Sequence, residues 1–268
     1  MKKIKCIIFD WAGTTVDYGS FAPVQAFIEA FEEFGITPTV DEVREPMGML
    51  KWNHIKTMME MDRIANEWER IYGRKWNGKD VDKVYEASEN AIMKILCNFA
   101  EPKPFVVDAI KTLRGDGIKI GSTTGYTDEM MEIVSKKANE NGYAPDYYCT
   151  PNMVKDNGRP YPYMIFKNME TLNIGSTGEV IKVGDTIADI KEGNNAGVIS
   201  IGVIEGSSLM ALTKEEYESL SKKEKETLIR EVSQIYFENG ADFVIDNFAR
   251  LPELVREIDE DLTINHRI

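Results

Sequence analysis

Residues 4–15 read Ile-Lys-Cys-Ile-Ile-Phe-Asp-Trp-Ala-Gly-Thr-Thr, a β-rich run that stops at Asp10. The β-branched and aromatic residues of this run favour a short buried strand. A carboxylate directly after such a strand can meet both a metal ion and an electrophile, because ligands bind at the carboxyl ends of parallel strands. An aspartate is also a common helix cap, so this stretch alone leaves both interpretations open.

The rest of the chain repeats the pattern of a strand followed by a helix. Strand-like runs cover residues 118–124, 180–183, 198–204 and 242–245, and helical patterns cover 105–114, 128–139, 161–172 and 188–196. Strands that alternate with helices predict an α/β fold with a doubly wound, Rossmann-like parallel sheet. The polar residues that end these strands are therefore expected to converge at one edge of the sheet. A further charged stretch, 213–238, predicts a solvated surface helix.

The segment that follows the first strand breaks this alternation, because it contains no convincing strand pattern. Helical patterns instead cover residues 23–35, 50–72 and 80–99, with a proline at the start and a glycine at the end of the first stretch. We therefore predict an all-helical cap domain at 19–99, inserted into a core domain made of residues 1–18 and 100–268.

Composition excludes several classes of function. The 268 residues carry a formal net charge of -13, which argues against nucleic acid or an anionic membrane as a partner, since both need clustered lysine and arginine. Three widely spaced cysteines predict neither a disulfide framework nor a zinc site, and the two histidines, His54 and His266, are too few for a histidine-rich metal site. No signal-peptide pattern or long apolar span is present, so we expect a soluble cytoplasmic protein.

Residues 183–189, Val-Gly-Asp-Thr-Ile-Ala-Asp, place two more carboxylates near a strand end. Asp185 ends a predicted strand, and Asp189 lies in the first turn of the helix that follows. Both can face one cleft, with Asp185 as a ligand of Mg²⁺, which prefers oxygen ligands and keeps several waters. Asp189 could instead do no more than complement the helix dipole.

Two loops supply groups that can hold a phosphoryl oxygen. Residues 121–126, Gly-Ser-Thr-Thr-Gly-Tyr, again end a predicted strand, where hydroxyl and amide groups can bind an anion. The candidate substrate contacts in this loop are Thr123, Thr124, Gly125 and Tyr126. Arg159, within Gly-Arg-Pro, can neutralise phosphoryl charge with its forked donors. Each signal alone is weak, but four such signals in this order predict a phosphoryl-transfer site.

The order of these motifs resembles the haloacid dehalogenase superfamily, whose pattern is Asp-x-Asp-x-Thr, then Ser or Thr, then Lys or Arg, then Gly-Asp-x-x-x-Asp. The resemblance covers the whole chain and implies that Asp10 is a covalent nucleophile. It also implies that Mg²⁺ binds Asp10, the carbonyl of Ala12 and Asp185. One departure is that Ala12 stands where the family usually has the acid that protonates an ester leaving group. The leaving group of this protein's substrate is therefore expected to be handled in another way.

The predicted cap offers a replacement for that acid. Residues 46–54 read Pro-Met-Gly-Met-Leu-Lys-Trp-Asn-His, and Lys51 and His54 would share one face of a helix. A lone lysine is usually a solvated surface residue, but a lysine can also form a Schiff base with a carbonyl substrate. The missing acid at Ala12 and the scarcity of histidine favour the catalytic interpretation, in which His54 moves protons.

Together with Phe-Asp-Trp-Ala-Gly-Thr-Thr-Val-Asp-Tyr at 9–18, the motif Met-Gly-Met-Leu-Lys resembles the branch of the superfamily that cleaves the carbon–phosphorus bond of a small phosphonate aldehyde. That resemblance implies a Schiff base on Lys51, with Gly48 as a further substrate contact and Met47 as a supporting residue. It also implies a homodimer joined through the cap.

The implied chemistry is self-consistent. A carbon–phosphorus bond cannot break as an ester bond does, because the leaving group would be a bare carbanion. An iminium on the neighbouring carbon lets the electrons flow into an enamine, so that no leaving-group acid is required. Two alternatives stay open: a cap-bearing phosphatase that acts on a small phosphate ester, and a non-enzymatic binding module, against which the four retained motifs argue.

Overall fold

The computed structural model describes residues 3–46 and 51–264, with side chains as far as residue 261. The chain forms two compact units. The core unit ends its first segment at Ser20 and resumes at Ala100, and the cap unit spans Phe21–Phe99. The predicted cap began two residues earlier. Gly19 and Ser20 belong with the core because their backbone amides donate to the carbonyls of Gly206 and Asp17.

The core unit is built on a parallel sheet that has six strands among the described residues, in the order β3-β2-β1-β4-β5-β6. The strands are β1 Cys6–Phe9, β2 Lys119–Thr123, β3 Tyr147–Cys149, β4 Val180–Gly184, β5 Ile199–Val203 and β6 Phe243–Ile245. All of β1 and β4 is buried, as expected for central strands that are covered on both faces. The predicted doubly wound α/β sheet is therefore confirmed.

The helices of the core unit follow the strands in sequence. They are α6 Val106–Gly115, α7 Asp128–Glu140, α8 Tyr163–Thr171, α9 Ile187–Ala196, α10 Lys214–Ser219, α11 Lys222–Glu238 and α12 Leu251–Ile264. The single surface helix predicted at 213–238 was wrong in two respects. Ser221 and Glu224 form a capping box that starts a second helix, and α11 buries Val232 and Tyr236 in an apolar cluster with residues of the sheet and of α9.

The cap unit is helical throughout its described residues. Its helices are α1 Phe21–Glu32, α2 Val40–Arg44, α3 Lys51–Glu60, α4 Asp62–Tyr72 and α5 Gly78–Ile95. They share an apolar core that includes Phe27, Phe31 and Trp68. No helix in the described part of the chain combines the length and the apolar character needed to span a membrane.

Candidate active site

Three carboxylates converge at the point where the strand order reverses. Strand β1 pairs in parallel with β4, with Phe9 opposite Val183, so Asp10 and Asp185 leave the sheet at the same edge. Asp189 joins them from the first turn of α9, where it forms a capping box with Thr186. One oxygen atom from each of the three carboxylates lies within 4.8 Å of the others, and all three side chains are buried.

This cluster fits a hard divalent cation, because its side-chain ligands are all oxygen atoms. The backbone leaves room for the carboxylates: a Cβ atom on Gly13 would lie 2.2 Å from Oδ2 of Asp185, and the φ of Gly13 is +78°. Glycine is the residue that tolerates both constraints. Ala12 lies in the same turn, where the amide of Gly13 donates to the carbonyl of Val16 at 2.8 Å.

Hydrogen bonds hold both the carboxylate and the backbone carbonyl of Asp185. The Thr14 hydroxyl donates to Oδ1 at 3.0 Å, and the amide and hydroxyl of Ser208 donate to Oδ2 at 2.8 and 2.6 Å. The hydroxyl of Tyr236 contacts the carbonyl oxygen of Asp185 at 2.8 Å. Burial raises the pKa of Asp185, and the neighbouring charge of Asp189 raises it further.

The guanidinium of Arg159 lies directly against Asp10. One of its nitrogens is ion-paired with Oδ1 of Asp10, Nη1 lies 3.0 Å from Oδ1 of Asp189, and Nε lies 3.4 Å from Oε2 of Glu192. Burial raises the pKa of Asp10 to about 7, an effect that the charge of Arg159 opposes. The sequence predicted that Arg159 neutralises phosphoryl charge, and the structure shows its guanidinium against Asp10, the predicted nucleophile.

The two threonines at the end of β2 differ in their partners. The Thr123 hydroxyl donates to Oε2 of Glu192 at 3.0 Å and accepts from Nζ of Lys182 at 2.7 Å. It is therefore engaged with a buried ion pair, because Nζ of Lys182 also lies 3.2 Å from Oε2 of Glu192. The Thr124 hydroxyl accepts from the Tyr126 amide at 3.0 Å. The predicted substrate contacts Thr123, Thr124, Gly125 and Tyr126 stay predictions, with the Thr123 hydroxyl bonded to Lys182 and Glu192.

In the cap unit, Lys51 and His54 occupy different surroundings. Lys51 opens α3, and its ammonium is ion-paired with Glu89 of α5, with roughly a third of each side chain exposed. His54 is buried and stacks on Phe27 at a ring-centroid distance of 4.2 Å. Burial lowers the pKa of His54 to about 4, so its imidazole is neutral at pH 7. Two predicted residues, Met47 and Gly48, lie outside the described part of the chain.

Sequence reasoning missed several residues that surround these groups. Those with direct contacts to the predicted site are Thr14, Lys182, Glu192 and Ser208 in the core unit and Glu89 in the cap unit. Lys182 carried a usable signal, because a lysine in the middle of a buried apolar strand needs a partner. Ser208 carried none, since nothing local marks a loop serine as the partner of a carboxylate far away in sequence.

Comparisons with known proteins identify the family and several relatives of this chain. Residues 4–197 match the family of haloacid dehalogenase-like hydrolases. The chain is 48% identical over 260 residues to the phosphonoacetaldehyde hydrolase of Lysinibacillus sphaericus, which covers 97% of both chains. It is also 48% identical to the bifunctional phosphonoacetaldehyde hydrolase/aminoethylphosphonate transaminase of Clostridioides difficile, of which it matches 41%. The crystal structure of a phosphonoacetaldehyde hydrolase-like protein from Oleispira antarctica superposes with a TM-score of 0.87 at 36% identity, covering 97% of this chain and 94% of the other.

Proposed function

This chain belongs to the haloacid dehalogenase-like hydrolases and, within them, to the phosphonoacetaldehyde hydrolases, and we propose that it cleaves the carbon–phosphorus bond of phosphonoacetaldehyde to give acetaldehyde and phosphate. The observation that carries the proposal is the cluster of Asp10, Asp185 and Asp189 beside Arg159, combined with alanine at position 12. Such a site can transfer a phosphoryl group but has no aspartate at that position to protonate an ester leaving group.

In the proposed reaction, a carboxylate oxygen of Asp10 attacks phosphorus and forms an aspartyl phosphate, which water then hydrolyses. Mg²⁺, held by Asp10, the Ala12 carbonyl and Asp185, would offset charge on the phosphoryl oxygens. Arg159 contributes the same kind of stabilisation from its position beside Asp10. Thr124 and the amides of Gly125 and Tyr126 are the proposed contacts of the remaining phosphoryl oxygens.

The bond to carbon is proposed to break through Lys51. Its amine adds to the aldehyde carbon and water leaves, which produces an iminium. When the phosphoryl group departs to Asp10, the bonding electrons of the C–P bond move into an enamine, which is then protonated and hydrolysed to acetaldehyde. Glu89 lies against the Lys51 ammonium and can take its proton. The neutral imidazole of His54 is the proposed second proton carrier, with Gly48 and Met47 as the proposed substrate contact and its support.

Two further proposals concern the state of the protein. A homodimer through the cap unit is supported by apolar side chains that the cap exposes, among them Trp52, Ile71 and Tyr72. A cytoplasmic location is supported by the cysteines Cys6, Cys97 and Cys149, which are free thiols, as is usual in reducing compartments.

The decisive experiment is trapping with borohydride. Reduction during turnover of phosphonoacetaldehyde should inactivate the protein and add a two-carbon group to the peptide that contains Lys51. The Lys51→Arg variant keeps the charge but cannot form an imine, so it should lose both the label and the release of phosphate. An unmodified peptide after complete turnover would rule out the Schiff base.

Measuring phosphate release from a set of phosphate esters distinguishes the proposed function from the alternative, a phosphatase that acts on a small phosphate ester. A phosphatase would hydrolyse its ester in the Lys51→Arg variant at the wild-type rate and would take no label. Asp10→Asn should abolish phosphate release from both phosphonoacetaldehyde and the phosphate esters, and is therefore the negative control.

A further inference from the structure

Lys103 is a buried lysine that the proposed reaction does not use. It lies between Ala100, where the chain re-enters the core unit, and α6, and only 5% of the residue is exposed. Its Nζ donates to the carbonyl of Gly13 at 2.5 Å, and its backbone amide donates to the carbonyl of Thr15 at 2.9 Å. Since burying an ammonium is unfavourable unless opposite charge lies nearby, the surroundings of this amine need a compensating carboxylate.

The backbone of two glycines brings Lys103 close to Asp185. A Cβ atom on Gly13, whose carbonyl accepts the Lys103 hydrogen bond, would lie 2.2 Å from Oδ2 of Asp185. That oxygen accepts hydrogen bonds from Ser208. Two residues before Ser208, a Cβ atom on Gly206 would lie 2.9 Å from Cε of Lys103. The amine and the carboxylate therefore both lie against the turn that contains Gly13.

The other buried cations are already committed to different carboxylates. Arg159 is ion-paired with Asp10 and Asp189, and Lys182 lies 3.0 Å from Oδ1 of Asp189. Among residues 3–46 and 51–261, no lysine, arginine or histidine nitrogen lies within 4 Å of the Asp185 carboxylate. The positive charge of Lys103, which lies behind the glycine turn, acts on Asp185 by lowering the pKa of its carboxyl group.

The electrostatic surroundings of Lys103 agree with this geometry. Burial lowers its pKa to about 8, so the amine is still mostly protonated at neutral pH. The carboxylates that oppose this lowering are Asp185, Glu205, Asp17 and Asp10, in decreasing order of effect.

We propose that Lys103 is a positioning residue that serves as the internal counter-ion of Asp185. It stabilises the Asp185 carboxylate and the Gly13 turn before a cation binds, and it competes electrostatically with the cation that binds there. This inference rests on the proposed metal site. It makes two predictions that a purely structural lysine does not share: loss of the charge should tighten Mg²⁺ binding, and the resulting loss of stability should depend on Mg²⁺.

Three substitutions separate the charge of Lys103 from its hydrogen bond. Lys103→Arg keeps the charge, Lys103→Gln keeps a donor for Gly13 without the charge, and Lys103→Met keeps neither. Lys167→Gln, at an exposed lysine that is paired with Glu170, makes the same change in net charge elsewhere on the core unit and is the matched control.

The measurements are calorimetric titration with Mg²⁺ in the absence of substrate, and thermal unfolding in EDTA and in saturating Mg²⁺. We expect Lys103→Gln and Lys103→Met to bind Mg²⁺ about tenfold more tightly than the wild type, on the order expected for one nearby unit charge. Both should unfold at a lower temperature in EDTA and regain most of that loss in Mg²⁺. Lys103→Arg and Lys167→Gln should bind Mg²⁺ as the wild type does.

Two results would overturn the inference. One is unchanged or weaker Mg²⁺ binding in both neutral variants, with the same loss of melting temperature in EDTA and in Mg²⁺. The other is wild-type behaviour of Lys103→Gln beside a defective Lys103→Met, which would assign the effect to the hydrogen bond. Absence of Mg²⁺ binding by the wild type would be a different failure, that of the proposed metal site itself.

Discussion

At the scale of single residues, Ala12 is the position that distinguishes this site from a phosphatase. The methyl group cannot donate a proton, while the neighbouring Asp10, Arg159 and Asp185 retain the groups that phosphoryl transfer needs. In the proposed mechanism, the leaving group is handled by Lys51 of the cap unit, whose amine can form an imine with a carbonyl but not with a phosphate ester.

Ala12→Asp tests this division. A carboxylic acid at this position could protonate an ester oxygen, so we expect hydrolysis of small phosphate esters to rise by about 10²-fold, the usual contribution of a positioned acid. Cleavage of phosphonoacetaldehyde should fall, because the new carboxylate adds negative charge beside Asp10. Steady-state rates on both substrates are the measurement, with Ala12→Asn as the isosteric control that cannot donate a proton as an acid does. A folded Ala12→Asp variant that does not hydrolyse phosphate esters faster than the wild type would contradict the role given to Ala12.

His54 predicts a pH-dependent stability of the cap unit. Its pKa is about 6.5 in the unfolded chain and about 4 when buried, so between these values the unfolded state binds more protons. The free energy of unfolding must therefore decrease as the pH falls from about 6.5 towards 4 and below, by at most roughly 3–4 kcal/mol. Denaturant titrations at several pH values should show this decrease, and His54→Gln should lose part of it. The carboxylates titrate in the same way in the wild type and in His54→Gln. If the free energy of unfolding depends on pH identically in the two proteins, the prediction is refuted.

At the scale of secondary-structure elements, the packing of α3 against α5 positions Lys51, the proposed Schiff-base residue. Lys51 lies in the first turn of α3, and Glu89 lies near the middle of α5, so their ion pair depends on the register of the two helices. An exposed pair of this kind adds less than about 1 kcal/mol to stability. In the proposed mechanism, the pair matters because it holds the Glu89 carboxylate beside the Lys51 amine.

Glu89→Gln should consequently affect the chemistry more than the fold. We expect the melting temperature to change little and the rate of borohydride trapping at Lys51 to fall about tenfold, because the amide cannot accept the ammonium proton. Glu86→Gln, an exposed position on the same helix, is the control with the same charge change. Equal trapping rates for the two variants would remove Glu89 from the mechanism.

The secondary-structure elements also show which parts of the fold and of the site could be predicted from the sequence. Strands β1 and β4 are short apolar runs, so the convergence of Asp10 and Asp185 followed from parallel-sheet geometry. Strand β3 was missed because it has three residues, two of them only partly buried. The buried contact of Lys182 with Thr123 joins positions 59 residues apart, and such pairings depend on tertiary packing that no local pattern encodes.

At the scale of the whole molecule, the proposed reaction uses residues from both compact units. The core unit contains the carboxylates that can hold a cation, and the cap unit contains the lysine, inserted between β1 and α6. Because the cation would bind only the folded core unit, metal binding and core stability are thermodynamically linked.

Removal of the metal should therefore lower the unfolding temperature of the core. Mg²⁺ at a hundred times its dissociation constant adds about 2.7 kcal/mol to the free energy of unfolding. Differential scanning calorimetry in EDTA and in Mg²⁺ should resolve this difference for the wild type, and Asp185→Asn should abolish it. Ca²⁺ should stabilise the fold yet inhibit turnover, since its looser coordination disturbs in-line attack. A wild-type melting curve that does not respond to Mg²⁺ would argue against the site.

The buried charges around Asp10 also constrain the kinetics of the enzyme. Among the described residues, five carboxylates, Asp10, Asp17, Asp185, Asp189 and Glu192, lie near three cations, Arg159, Lys182 and Lys103. A dianionic phosphonate that arrives first would enter a cleft with excess negative charge, whereas one that arrives after Mg²⁺ would enter a cleft in which the cation offsets that excess. We therefore expect a compulsory order of addition, cation before phosphonate. Phosphate should then inhibit competitively against phosphonoacetaldehyde and uncompetitively against Mg²⁺.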